Sequence, residues 1–70
     1  MGEQSFNLHL QSETDLLMVQ REYLRKLENF DLVESDTVDL LIALEERIKT
    51  YPKNKFLPRL RAFIRNRSNL

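Results

Sequence analysis

The apolar residues of this chain change period once, near residue 12. In residues 5–10, Phe6, Leu8 and Leu10 alternate strictly with Ser5, Asn7 and His9, which is the period of a half-buried strand. Beyond them the pattern is helical. A lone strand leaves its backbone donors and acceptors in need of partners, and no second strand pattern follows. The expected strand therefore pairs with its copy in another chain or with another protein's sheet edge. The other reading is an unstructured N-terminus whose alternation is accidental.

Three amphipathic segments follow. Residues 13–30 read as a helix with Ser12 as N-cap and Glu13 and Asp15 in the first turn, where the helix dipole favours acids. Leu16, Val19, Tyr23, Leu24, Leu27 and Phe30 share its apolar face. Glu22 and Lys26 form an i,i+4 pair. Ser35 or Asp36 is expected to cap a second helix, about 37–51, with Leu40, Leu41, Leu44, Ile48 and Tyr51 on one face. Val38 and Ile42 make a second stripe well round its axis, which predicts burial on two sides, by a second copy or by the third segment. Pro52 ends that helix, and Pro58 fits the first turn of a short third helix, about 58–66. Phe56, Leu57, Leu60, Phe63 and Ile64 form the apolar side of this last segment.

A chain of 70 residues is at most one domain, and so small a domain commonly relies on disulfides, metals or oligomerisation. It has no cysteine and a single histidine, His9; this excludes disulfides and thiolate metal sites, and leaves no metal or cofactor to expect. Oligomerisation is the remaining support. No apolar run is long enough to span a bilayer and no signal-peptide pattern opens the chain, so a cytoplasmic protein is expected. There is no glycine-rich phosphate loop and no set of groups placed to converge on a pocket, so neither an enzyme nor a small-molecule substrate is expected.

Net charge is zero, yet the charges are segregated. Residues 1–46 hold all eleven acids against Arg21, Arg25 and Lys26, a net −8; residues 47–70 hold eight bases and no acid, a net +8. This asymmetry points to an acidic partner for the basic end, or to pairing between the two halves.

The order strand, helix, helix resembles that of the ribbon-helix-helix DNA-binding family of Arc and MetJ type. Ser5-Phe6-Asn7-Leu8-His9-Leu10 is similar to the family's strand, and Ser35-Asp36-Thr37 before Val38 and Leu41 resembles the opening of its second helix. The resemblance covers residues 4–51. It implies a mostly α fold in which the strands of two chains form an antiparallel ribbon in a DNA groove. Ser5, Asn7 and His9 would then contact bases, while Phe6, Leu8, Leu10, Val38 and Ile42 form the dimer interface. The sequence departs from the family in having no glycine between the helices and in placing Glu34, Asp36 and Asp39 where the family's helix amides hold phosphate. The alternative architecture is a three-helix bundle.

Two functions follow from these readings. One is a homodimeric transcriptional regulator, with residues 1–51 as strand-helix-helix dimerisation core. Its basic segment 52–70 would hold DNA phosphates through Lys53, Lys55, Arg59, Arg61, Arg65 and Arg67. The other is a non-enzymatic adaptor or inhibitor, whose basic C-terminal helix docks those same cations on an acidic protein surface.

Overall fold

A computed structural model describes residues 6–68 and contains three helices: α1 (Glu13–Glu28), α2 (Glu34–Thr50) and α3 (Phe56–Ser68). The start of α1 is capped as expected. Ser12 has extended backbone angles, and its Oγ accepts from the Asp15 amide at 3.1 Å. Asp15 reaches back to accept from the Gln11 amide at 3.1 Å, which satisfies a second donor ahead of the helix. Leu16, Val19 and Tyr23 are buried on its inner face, with Leu27 packed partly against the same cluster.

The end of α1 differs from expectation. The Asp31 amide donates to the Lys26 carbonyl and the Phe30 amide to the Leu27 carbonyl, the paired bonds of a Schellman ending. Phe30 occupies the left-handed position of that motif, with φ of 58°, where glycine is the usual occupant. A side chain with a Cβ costs about 1–2 kcal/mol in this region. Phe30 recovers nothing by packing, because it is 90% exposed. It is not part of the apolar face of α1.

Helix α2 begins three residues earlier than its hydroxyl and carboxyl residues suggest. Val33 sits at the cap with no side-chain acceptor of its own, and Asp36 supplies the bond instead, its Oδ2 accepting from the Val33 amide at 3.0 Å. Leu40 and Leu44 are buried, and Thr37 with them. Helix α3 starts two residues earlier than Pro58 indicates because of Asn54. The Asn54 Oδ1 accepts from the amides of Phe56 at 2.8 Å and Leu57 at 3.1 Å, the first two donors of the helix.

α3 is the central element. It packs against both α1 and α2, whose backbones do not approach each other closely. Leu57, Leu60 and Ile64 of α3 join Leu10, Leu16, Val19, Tyr23, Leu40 and Leu44 in one core. The three-helix alternative is thus the arrangement that forms.

No β-strand occurs among the described residues, so the expected N-terminal strand and its two-chain ribbon are corrected. The alternation itself is real: Phe6, Leu8 and Leu10 turn inward while Asn7, His9 and Gln11 are exposed. What differs is how the backbone is satisfied. Arg47 Nε donates to the Leu8 carbonyl at 3.2 Å and Asn54 Nδ2 to the Leu10 carbonyl at 2.7 Å. The Asn7 side chain accepts from the His9 amide at 3.0 Å, a local turn in place of a ladder rung. Side chains from α2 and from the α2–α3 connection therefore do for this segment what a neighbouring strand would have done.

Candidate functional site

With its apolar side committed to the core, α3 leaves Arg59, Arg65 and Arg67 exposed around the rest of its surface. Of the six cations expected to meet a partner, two are held by the acidic half of the chain. Arg59 makes a two-pronged pair with Glu13, at 2.9 and 2.8 Å, and Arg61 bonds Glu45 at 2.8 Å. The Glu13 carboxyl lies below the usual glutamate range, chiefly through its hydrogen bond with Arg59, and the Arg59 guanidinium is raised by the same bond. The pairing of the two charge halves is thus partly internal. Both residues of the Glu13–Arg59 pair are more than half exposed, so water and salt weaken it.

Lys53, Lys55, Arg65 and Arg67 have no carboxylate within 4 Å among the described residues, and all four are exposed. Two of them rest on aromatic rings of α3. Arg67 lies 5.3 Å from the centre of the Phe63 ring and Lys55 5.5 Å from that of Phe56. Such stacking holds a charged head in place without neutralising it. Arg65 and Arg67 also suit the negative end of the α3 dipole, a structural reason for cations at those positions.

The residues expected to read bases are not assembled into a reading surface. Ser5 lies outside the described residues. Asn7 and His9 are exposed, but no ribbon that would aim them into a groove occurs among the described residues, and the Asn7 side-chain Oδ1 is engaged by the His9 amide. The expected ribbon contacts are corrected as well. Leu10 is 1% exposed within its own chain, and Phe6 and Leu8 pack partly against the same helices, so their apolar surface is taken up internally rather than by a second copy.

The second stripe of α2 has the opposite fate. Val38 is 41% and Ile42 53% exposed, and α3 does not cover them. They remain available to a partner, as do Leu17 and Met18 on the outer side of α1. Asn54 and Phe30 escaped sequence reasoning. The first was legible as an asparagine shortly before a proline-containing first turn. The second was not, because an aromatic in a left-handed position has no compositional signature.

Among the described residues no cluster of His, Asp or Glu is arranged to hold a metal ion, and no helix is long and apolar enough to cross a membrane. Comparison with protein-family models, with curated proteins and with solved structures finds no match.

Proposed function

We propose that the protein is a non-enzymatic interaction module that docks on an acidic protein surface through the exposed cations ahead of α3 and in its last turn. The observation that carries this reading is the state of the four cations Lys53, Lys55, Arg65 and Arg67, exposed and with no carboxylate within 4 Å among the described residues. The helix that carries two of them is fixed by a fully buried inner side, Leu57, Leu60 and Ile64. A rigid helix meets a partner without losing further backbone entropy. The docking mode differs from that of an amphipathic peptide entering a groove, because the apolar side of α3 is already spent. The exposed cations are what is offered, and electrostatic complementarity of this kind governs specificity and association rate.

An acidic protein fits better than DNA. Phosphate contacts dominate DNA affinity, and internal pairing with Glu13 and Glu45 leaves four of the six cations for such contacts. The start of α2, with Glu34, Asp36 and Asp39, repels phosphate where the ribbon-helix-helix mode would hold it, whereas docking through the cations around α3 makes no use of that helix end.

The test is an equilibrium titration of the protein with labelled poly-glutamate and, separately, with labelled duplex DNA at two salt concentrations. The double variant Lys53→Ala/Lys55→Ala, which leaves the hollow beside Arg67 untouched, is carried through both. The reading predicts that the polypeptide binds more tightly than the duplex. The double variant should lose polypeptide binding while its melting temperature stays near that of the parent. Tighter binding to the duplex at matched salt would transfer the reading to nucleic acid. No binding to either at low salt would end it.

A further inference from the structure

We infer that the protein forms a two-fold dimer in which Phe30 of each copy enters a hollow at the end of the other copy's helical core. Phe30 is a large apolar side chain that is almost wholly exposed and held at φ 58°. It is both strained and unrewarded within its own chain, and such backbone outliers persist where function uses them. Aromatic side chains, phenylalanine among them, are enriched at the cores of protein interfaces.

The occupant is identified by what lies beside Phe30. A hollow of about 240 Å³ opens where the end of α1, the start of α2 and the end of α3 meet. Tyr23, Leu27, Leu32 and Val33 supply apolar wall, and Thr37, Glu34 and Arg67 line it as well. A space on the order of 150 Å³ with apolar walls already accommodates a benzene ring. Leu27 and Leu32 bracket Phe30 in sequence, so knob and hollow share one end of the molecule. A knob and a hollow side by side are self-complementary under a two-fold axis, and the contact closes at two copies without propagating.

Charge agrees. Asp31, next to Phe30, and Glu34, at the hollow, are exposed carboxylates with no basic partner within 4 Å among the described residues; Arg67 is an exposed cation with no acidic one. Two-fold pairing brings Arg67 of each copy towards the acids of the other. The contact is small, so the dimer is weak and reversible.

The experiment is sedimentation velocity from low micromolar to millimolar concentration on the full chain, with Phe30→Gly, Phe30→Asn and the pair Val38→Glu/Ile42→Glu. Gly and Asn both tolerate the left-handed region, so both variants relieve strain while removing the ring. The inference expects the parent to dimerise as concentration rises and the two Phe30 variants to bind themselves at least roughly tenfold more weakly. Both should also melt at a higher temperature than the parent when dilute. The Val38/Ile42 variant should dimerise like the parent. A parent that stays monomeric at millimolar concentration would overturn the inference. So would Phe30 variants that dimerise unchanged, or loss of the dimer only when the α2 stripe is altered.

Discussion

The Asn54 side chain joins the segment before α1 to the start of α3: its Nδ2 donates to the Leu10 carbonyl at 2.7 Å while its Oδ1 caps the first amides of α3. One residue thus replaces both a missing strand partner and a missing helix cap. Asn54→Ala removes both, and the loss should be about 1–3 kcal/mol, a lost cap plus a lost net hydrogen bond. Asn54→Ser keeps a cap acceptor and is too short to donate to Leu10. It should fall between the parent and Asn54→Ala in urea denaturation. Equal stability of all three proteins would contradict the role assigned to Asn54.

Core and surface apolar residues should respond very differently to truncation. Leu60 is fully buried at the centre of α3, so Leu60→Ala should cost about 2–5 kcal/mol, a large part of the stability of a small domain. Ile42→Ala, on the exposed stripe of α2, should change monomer stability by less than about 0.5 kcal/mol. Thermal melts at low concentration measure both. Near-equal effects would mean that α3 is not the central helix.

Tyr23 is fully buried, and its hydroxyl has no hydrogen-bond partner among the described residues. The ring still contributes, lying 6.3 Å from Phe6 and 6.4 Å from Phe63 between centres. Tyr23→Phe keeps the ring and removes the orphaned polar group, so stability should stay level or rise, by up to about 1 kcal/mol. A clear loss in calorimetry would reveal a partner for the hydroxyl.

How much of this was legible beforehand differs by residue. Ser12 as a cap, the inner faces around Leu16 and Leu44, and the burial alternation of Phe6, Leu8 and Leu10 all follow from period and local chemistry. The strand did not follow, because period 2 reports which side chains turn inward and not what satisfies the backbone. That was decided by Arg47 and Asn54, 39 and 44 positions away from the carbonyls they bind. Charge segregation was visible at once. Which cations would be spent internally was not, since Glu13–Arg59 spans 46 positions and depends on how α3 lies across α1.

The Glu13–Arg59 pair carries a pH signature. Because the Glu13 carboxyl is lowered in the folded state, its contribution is present above the ordinary glutamate range and lost as pH falls through the lowered folded value. The urea midpoint of Glu13→Gln should therefore lie below that of the parent at neutral pH, with the gap narrowing in acid. A gap that widens as pH falls would contradict the pairing. The effect should also shrink in high salt, as for any exposed pair.

The central claim, that the exposed cations ahead of α3 and in its last turn hold the acidic partner, is tested most directly by amide NMR of the labelled protein during titration with poly-glutamate. The account predicts that the perturbed amides cluster at Lys53, Lys55 and Arg65 to Arg67, while those of Asn7 and His9 stay in place. Perturbations centred on Asn7 and His9, or no response at low salt, would contradict it.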